Sequence, residues 1–286
     1  MKTSAHASRR AFLVGGAATL VAPAVRAAPL PFRIGLTPVF LDSDLRLTGQ
    51  IEAYLAARLE RPVNLVKRRT YIEITALLAA GHLDAAWICG LPFVQHRAAL
   101  KLVAVPIYRG ALTYRSFLIA RADASMPDPM GVRGTIHAFS DPDSNSGQLV
   151  TRAWLAGLGE EPQRFFARTF FAYGHRNVIR AVAAGLAGSG SVDSYVYEVV
   201  GEIEPDLVAA TQVVRASEPM GFPPIAAPRG GDAGLMRATA DALAAMPGDP
   251  LGRDILATLR LDGFTDPDPS LYLGIERLAR TVRALG

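Results

Sequence analysis

The sequence predicts an α/β fold, because short apolar runs typical of strands alternate with longer runs of helical periodicity along most of the chain. Hydrophobic residues make up 50% of the 286 positions, which is ample for a core. A polar, proline-containing break at 123–131 separates two such alternating sets. The alternation favours parallel strands covered by helices, and the break favours two α/β lobes.

Each predicted strand is an apolar run between turn residues, and each predicted helix has apolar residues at helical spacing. The first set contains strand Phe32–Leu36, helix Leu45–Leu59, strand 62–66, helix 74–80, and strands 83–89 and 116–120. The second set contains strand 135–139, a helix after 146, strand Arg168–Phe171, helix 177–184, strand 191–194 and helix 195–201. The chain closes with strand 211–215 and helices 235–245, Pro250–Leu259 and 271–285.

The chain is predicted to cross between the lobes twice, near 117–121 and near 213–217. Two crossings form a hinge, and a cleft between hinged lobes commonly captures a small ligand. We expect residues 28–118 and 215–286 to form the first lobe, with the second lobe, 119–214, inserted into it. The C-terminal helices have no predicted strands of their own to cover, so they should pack back on the first lobe.

The first 27 residues have the pattern of a twin-arginine export signal. Arg9 and Arg10 precede an apolar run, and a small-residue cleavage signal follows around Ala27. Glycine and proline interrupt the run, which is too short for a membrane span of roughly 20 apolar residues. Because no cysteine stands at the cleavage point to carry a lipid, we expect a periplasmic protein without a lipid anchor.

The formal net charge of +4 comes from this leader, which holds four basic residues and no acidic one. The rest of the chain is neutral, so its composition does not indicate nucleic-acid binding. The single cysteine, Cys89, excludes an intramolecular disulfide, and no cysteine–histidine cluster has zinc spacing. We expect neither a metal nor a cofactor.

Three small polar residues, Ser144, Asn145 and Ser146, stand where an apolar-periodic helix begins. One explanation is capping, because such side chains accept hydrogen bonds from the first free N–H groups and each cap contributes about 1 kcal/mol. Capping needs only one residue. The other explanation is an anion site made of free N–H groups, the positive end of the helix dipole and two hydroxyls. This segment alone leaves both explanations open.

The usual signatures of hydrolases are absent from the sequence. It contains neither a G-x-S-x-G nucleophile turn nor an H-E-x-x-H pair. Ser146, His175 and Asp193 could be drawn as a triad, but a serine at a helix start lacks the strained turn of a nucleophile. We therefore expect a protein that is not an enzyme.

Several segments, taken in order, resemble the periplasmic phosphate/phosphite/phosphonate-binding proteins of ABC importers. They are 70–93 (TYIEITALLAAGHLDAAWICGLPF), 114–117 (YRSF), 141–147 (DPDSNSG), His175 and 192–195 (VDSY). The resemblance implies a type II periplasmic-binding fold with two lobes that close over an oxyanion. It also implies a monomer that delivers its ligand to a membrane permease.

The resemblance further implies a set of ligand-binding residues. Ser144, Asn145 and Ser146 would bind ligand oxygens, Tyr71 and Tyr114 would supply phenol hydroxyls, and His175 would donate from the second lobe. Asp193 lies near the place where some relatives bind an amino group of the ligand. The sequence suggests no convincing partners for the other histidines after the leader, which are His82, His96 and His137.

The departures from the family pattern concern the ligand. Ala187 and Gly188 stand where relatives often have an aspartate, and 217–224 (SEPMGFPP) has aromatic and proline residues where aminophosphonate binders have another acid. A small oxyanion or one with an uncharged tail is therefore favoured, and phosphate, phosphite, methylphosphonate and arsenite stay open. In an alternative hypothesis Cys89 is a thiol ligand for arsenite, and the protein is a sensor that partners a membrane histidine kinase.

Overall fold

A computed structural model describes residues 29–37, 45–126 and 128–285. The predicted export signal, 1–27, lies outside these ranges. None of the helices in the described ranges combines the length and apolar character that crossing a bilayer requires.

The strands of the described ranges are β1 (Phe32–Leu36), β2 (Val63–Lys67), β3 (Ala85–Trp87), β4 (Leu100–Ile107), β5 (Thr113–Tyr114), β6 (Ser116–Arg121), β7 (Ile136–Phe139), β8 (Arg168–Phe171), β9 (Ser189–Asp193), β10 (Thr211–Ala216), β11 (Met220–Gly221), β12 (Ile225–Pro228) and β13 (Gly263–Thr265). The helices are α1 (Leu45–Leu59), α2 (Tyr71–Ala79), α3 (Gly90–Gln95), α4 (Val150–Gly157), α5 (Pro162–Phe165), α6 (His175–Ala183), α7 (Ser194–Ile203), α8 (Pro205–Ala209), α9 (Ala233–Ala244), α10 (Pro250–Leu259) and α11 (Leu273–Leu285). A π-helical turn, Asn145–Leu149, leads directly into α4.

The alternation that the sequence predicts is confirmed, and β1, α1, β8 and α10 have the predicted bounds. In the described ranges one sheet has six strands in the order β13, β4, β12, β3, β1, β2. Strand β1 lies between β2 and β3 and is parallel to both, because α1 and α2 return the chain to the same edge. The core of this sheet includes Phe32, Ile34 and Leu55, all almost completely buried.

We expected no strands in the C-terminal segment for its helices to cover, and this expectation is wrong. Strand β12 inserts antiparallel between β3 and β4, and β13 pairs antiparallel with the other side of β4. Both strands are too short to give a periodic signal, and prolines stand beside or within β12. Helices α9 and α10 pack on α1, where the Tyr54 hydroxyl donates to the Ala242 carbonyl at 2.5 Å, and α9 also packs on this sheet. Helix α11 departs from the expectation that the C-terminal helices pack on the first lobe, because it packs on α3 and also on α4 of the second lobe.

A second sheet holds the other described strands of the middle of the chain, in the order β10, β6, β9, β7, β8. The chain enters this sheet through β6 and leaves through β10, and these two strands pair antiparallel. Between the sheets the two crossing segments are tied together, since the Ser116 N–H donates to Ser217 Oγ and the Ser217 N–H donates to the Ser116 carbonyl, both at 2.9 Å. The predicted lobe boundaries at 118/119 and 214/215 fall inside β6 and β10.

His137 is buried on β7 of the second sheet, between β9 and β8, although its sequence context suggests no partners. Its Nδ1 is 2.8 Å from Ser189 Oγ and its Nε2 is 2.9 Å from Ser191 Oγ. The ring stacks on Phe166, with centroids 4.1 Å apart. The imidazole is completely buried, and this burial lowers its pKa to about 3, so the ring is neutral at neutral pH.

The direction of the hydrogen bonds around His137 follows from one fixed donor. The Thr135 hydroxyl donates to the Val132 carbonyl, so Ser189 must donate to Thr135 and must accept from His137 Nδ1–H. Nε2 of the ring is then an acceptor. Ser191 donates to it and in turn accepts from the hydroxyl of Thr151 on α4, at 2.7 Å. The network therefore joins α4 to the sheet and requires a neutral ring.

We expect the substitution His137→Gln to make the stability of the protein less sensitive to acid. The folded-state pKa near 3 lies below the ordinary value of about 6.5, so between these values the unfolded chain binds an additional proton. Stability is therefore lost as the pH falls through this window, by at most about 1.4 kcal/mol per pH unit for one group. Glutamine retains a donor and an acceptor but does not titrate.

Urea unfolding of wild type and variant at several pH values checks this prediction, with the exposed His82→Gln as the matched control. The wild type and the control should lose stability in parallel, and His137→Gln should lose it less steeply. Identical slopes for all three proteins would contradict the role given to His137. His175 contributes a similar acid sensitivity that the variant retains.

Candidate functional site

The seven residues predicted to bind a ligand meet at the junction of the two sheets. Tyr71 is the first residue of α2 and Tyr114 ends β5, on the side of the first sheet. The segment 144–146 opens the π-helical turn, His175 begins α6 and Asp193 ends β9 on the side of the second sheet. All seven side chains are buried. We call this set the junction cluster: Tyr71, Tyr114, Ser144, Asn145, Ser146, His175 and Asp193.

The ends of several helices place the cluster. Thr70 caps α2 in a capping box with Glu73, and Asp193 caps α7 by accepting from the N–H groups of Tyr195 and Val196 at 2.8 and 3.3 Å. Helix α6 begins after Gly174, whose φ of 150° is a conformation that favours glycine. Because the N-terminal end of a helix carries a partial positive charge, the convergence of these ends favours a bound anion.

Asn145 is bonded to groups on the opposite side of the junction. Its side-chain Nδ2 donates to the Tyr114 hydroxyl at 2.9 Å and to the Met220 sulfur at 3.3 Å. Its backbone N–H donates to the Cys89 sulfur at 3.3 Å. These bonds connect the start of the π-helical turn with β5, with β11 and with Cys89, the residue before α3.

The structure corrects one part of the anion-site hypothesis and supports another. Two N–H groups of the helix start are already used, because Asn145 N–H donates to Cys89 and Gly147 N–H donates to Ser144 Oγ at 2.9 Å. Ser144 is therefore a cap, as the simpler explanation requires. Its own hydroxyl proton is still available to a ligand, and a thiol sulfur is a weak acceptor that a ligand oxygen can replace.

Capping does not explain the other two side chains of this segment. Asn145 Oδ1 and Ser146 Oγ are buried and have no partner of hydrogen-bond geometry among the described residues, and the Tyr114 hydroxyl lies near Ser146. Leaving such a group unpaired costs about 1–3 kcal/mol, and buried polar atoms in folded proteins generally have a partner. Two unpaired atoms on adjacent residues indicate a place where a polar ligand binds.

The tautomer of His175 follows from its backbone partner. The Asp193 N–H donates to His175 Nδ1 at 3.1 Å, so the neutral ring carries its proton on Nε2, which faces the Tyr71 hydroxyl at 3.4 Å. Burial lowers the pKa of His175 to about 3 and raises the pKa of Tyr71 well above its usual value. Both groups are therefore neutral hydrogen-bond donors at neutral pH.

One buried carboxyl group, Asp193, belongs to the cluster, and another, Asp141, lies beside it. Burial raises the pKa of Asp193 to about 7. Burial also raises the pKa of Asp141, whose carboxylate accepts from the Asp143 N–H at 2.8 Å and from the Tyr71 N–H at 3.2 Å. The first of these Asp141 contacts is a local turn bond, and the second spans the junction.

A comparison with known families identifies the chain. Residues 34–272 match the family model described as the periplasmic substrate-binding protein of phosphonate ABC transporters. The chain belongs to this family. It is thus the periplasmic component that captures a phosphonate-like oxyanion for an ABC importer, and the resemblance seen in the sequence is confirmed.

Solved structures share the fold of this phosphonate-transporter family member. A binding-protein component of an ABC phosphonate transporter from Pseudomonas aeruginosa has a TM-score of 0.81 and 20% identity, covering 90% of this chain and 89% of that one. PhnD1 from Prochlorococcus marinus, solved with methylphosphonate, has a TM-score of 0.78 and 18% identity, covering 88% and 98%. XAC2383 from Xanthomonas citri, solved with chloride, has a TM-score of 0.72 and 16% identity, covering 89% and 98%. These likenesses show the type II two-lobed fold.

Cys89 lies beside the junction cluster of this binding protein, before α3. Burial raises the pKa of its thiol to about 11, so it is protonated at neutral pH. Its one described contact to the cluster is the hydrogen bond from the Asn145 N–H. Its role as a thiol ligand stays a prediction.

Sequence reasoning missed several polar or sulfur-containing residues of the site. Met220 fixes the Asn145 amide, and two further buried hydroxyls without a described partner are those of Thr75 and Ser140. Thr75 lies one turn after Tyr71 on α2, a spacing that places it on the same side of the helix and that the sequence could have indicated. Met220 gave no local signal, because it reaches the site through the pairing of β11 with β5.

Gly147 allows the π-helical turn to lie against the end of β7. A Cβ atom on Gly147 would stand 1.7 Å from Ser140 Oγ and 2.6 Å from Ser140 Cβ. We expect Gly147→Ala to displace the turn, to destabilise the protein by about 2–4 kcal/mol and to weaken ligand binding. The matched control is Gly157→Ala at the end of α4, where an added Cβ meets nothing within 4 Å.

Thermal unfolding and calorimetric titration of both variants check this prediction. Gly157→Ala should stay within about 1 kcal/mol of the wild type, because alanine suits a helix better than glycine does. If both variants behaved like the wild type, the close contact between Gly147 and Ser140 would not constrain the turn.

Proposed function

We propose that this binding protein captures a small phosphorus oxyanion. The ligand is phosphite, which has a hydrogen on phosphorus, or a phosphonate, which has a short uncharged carbon substituent on phosphorus. The ligand oxygens would accept hydrogen bonds from the junction cluster. The observation that carries the proposal is the pair of unpaired, buried atoms, Asn145 Oδ1 and Ser146 Oγ, inside a ring of neutral donors from both sides of the junction. Methylphosphonate, which occupies the related PhnD1 structure, is the first ligand to test.

The donor set suits an oxyanion that has lost its water. An ion in a buried site is stable only when several hydrogen bonds replace its hydration, and bonds to a charged acceptor contribute about 1.5–3 kcal/mol each. Tyr71, Tyr114, His175, Ser144 and Ser146 each have a proton to donate in their neutral forms. They come from both sides of the junction, so a ligand that bonds to all of them stabilises the closed arrangement.

The surroundings of β11 favour a short uncharged substituent. Phe222 is completely buried and packs on Tyr114 and Tyr195, with ring centroids 5.6 and 5.2 Å apart. The acid of this segment, Glu218, is exposed. The segment 217–224 therefore supplies no buried carboxylate to a positively charged tail.

The remaining parts of the proposal concern the path of the protein and its ligand. The twin-arginine segment would export the chain, and the protein would act as a monomer that delivers its ligand to a membrane permease. Residues 28–118 with 215–286 and residues 119–214 would move as two bodies about the tied crossings. Contacts with the ligand would add to the hydrogen bonds that already span the junction, such as those from Asn145 to Tyr114 and Met220.

We expect Ser146→Ala to weaken methylphosphonate binding by about tenfold or more, because the variant removes an unpaired hydroxyl that can bond to the anion. Titration calorimetry measures the change. Ser125→Ala, an exposed serine far from the cluster in sequence, is the matched control and should bind like the wild type.

A wild-type protein that binds none of phosphate, phosphite and methylphosphonate would overturn the proposed function. Binding that is equal in the wild type and in Ser146→Ala would instead remove Ser146 from the site. A thermal-shift panel of the three oxyanions at one pH separates these outcomes before any variant is made.

A further inference from the structure

The orientation of the Asn145 side-chain amide determines what a ligand must present to it. Its Nδ2 stands between the Tyr114 hydroxyl at 2.9 Å and the Met220 sulfur at 3.3 Å. A thioether has no proton to donate, so the NH₂ group and not the carbonyl oxygen faces Met220. The Oδ1 atom is directed away from both partners, is buried and has no hydrogen bond to the described residues.

An amide oxygen can only accept, so its missing partner must be a proton donor. The ionised oxygens of a phosphonate cannot fill this position, but a protonated P–O–H group can. Ser146, the adjacent unpaired group, can donate to an ionised oxygen of the same ligand. The unpaired atoms of Asn145 and Ser146 thus match the two kinds of oxygen on a singly protonated phosphonate.

The charges around the site favour the same form of the ligand. Helix α6 carries Arg176 and Arg180, which pair with Glu204, and α4 carries Arg152. The titratable side chains of the cluster itself and of its hydrogen-bond partners are acids or the neutral imidazole, and they are Tyr71, Cys89, Tyr114, Asp141, His175 and Asp193. In the described part of the chain none of them bonds to a lysine or an arginine. The nearby Arg115 instead donates to the Ser217 carbonyl.

We propose that the site binds its phosphonate as the singly protonated monoanion, with the ligand P–O–H donating to Asn145 Oδ1. The inference rests on the proposed function and deepens it. A dianion would leave Asn145 Oδ1 unpaired and would add a second negative charge beside Asp141 and Asp193. Like charges that are close together in a site with little water repel each other strongly.

The proposal gives a definite sign to the pH dependence of affinity. Raising the pH removes the proton that Asn145 needs, since the second ionisation of phosphoryl groups falls near pH 6 or somewhat above. Ionisation of Asp193, whose pKa burial raises to about 7, acts in the same direction. The groups that face Asp193 are the phenols of Tyr71, Tyr114 and Tyr195, the Cys89 thiol, the neutral His175 ring and the Glu198 carboxylate.

The experiment compares two ligands of similar shape and equal charge. Methanesulfonate is a tetrahedral monoanion without a proton, whereas methylphosphonate at about pH 5.5 is a monoanion with one P–O–H. Calorimetric titration of the wild-type protein should show methylphosphonate binding at least about tenfold more tightly. Its affinity should then fall, by up to about tenfold per pH unit, as the pH rises above the second ionisation of the ligand.

A matched pair of variants tests the named acceptor. Asn145→Ala should reduce the preference for methylphosphonate over methanesulfonate to within about threefold, while Asn64→Ala, at an exposed position of β2, should keep the wild-type preference. If Asn145→Ala does not fold, as judged by its thermal transition, the comparison of the two ligands on the wild type decides alone.

Equal binding of the two ligands at about pH 5.5, or methylphosphonate affinity unchanged up to about pH 8.5, would overturn the inference and leave the proposed function standing. Loss of methylphosphonate binding at every pH would overturn both. A wild-type preference that Asn145→Ala fully retains would overturn the assignment of the proton acceptor.

Discussion

The site depends on one constraint, which is how Asn145 is held at the start of the π-helical turn. Its backbone and side chain both bond to groups that the first part of the chain and β11 supply, namely Cys89, Tyr114 and Met220. These bonds orient the amide and leave its oxygen unpaired. Behind the turn, Gly147 permits the close approach of Ser140 that keeps the segment in place.

The π-helical turn is in turn connected to the interior of the second sheet. Thr151, on the first turns of α4, bonds to Ser191, and Ser191 bonds to the buried ring of His137. Ser191 is two residues before Asp193, whose backbone sets the tautomer of His175. The hydrogen bonds from Thr151 to Ser191 and from Ser191 to His137 therefore help to position α4, which follows the π-helical turn, and β9, which ends at Asp193.

The electrostatics of the site explain how it can attract an anion although no lysine or arginine among the described residues bonds to the side chains of the junction cluster. Helix ends and neutral donors supply the positive potential, and two buried carboxyls limit the total charge that the site tolerates. Such a site can discriminate by protonation, because a misplaced charge is expensive where water is absent. A cluster of arginines would bind anions with less regard to their protons.

The sequence by itself determined the alternation of strands and helices, the two crossings and the polar segment 144–146, because each is encoded in neighbouring residues with a regular period or a recognisable spacing. The ordered set of motifs between 70–93 and 192–195 also indicated the family. The sequence could not tell whether Ser144 caps a helix or meets a ligand. Only the tertiary structure decided that Ser144 is the cap while Asn145 Oδ1 and Ser146 Oγ stay unpaired.

The tertiary structure also brought β12 into the middle of a sheet, gave His137 its partners and set Met220 against Asn145. These outcomes join residues far apart in the chain, so they depend on how the two sheets pack and not on any local pattern.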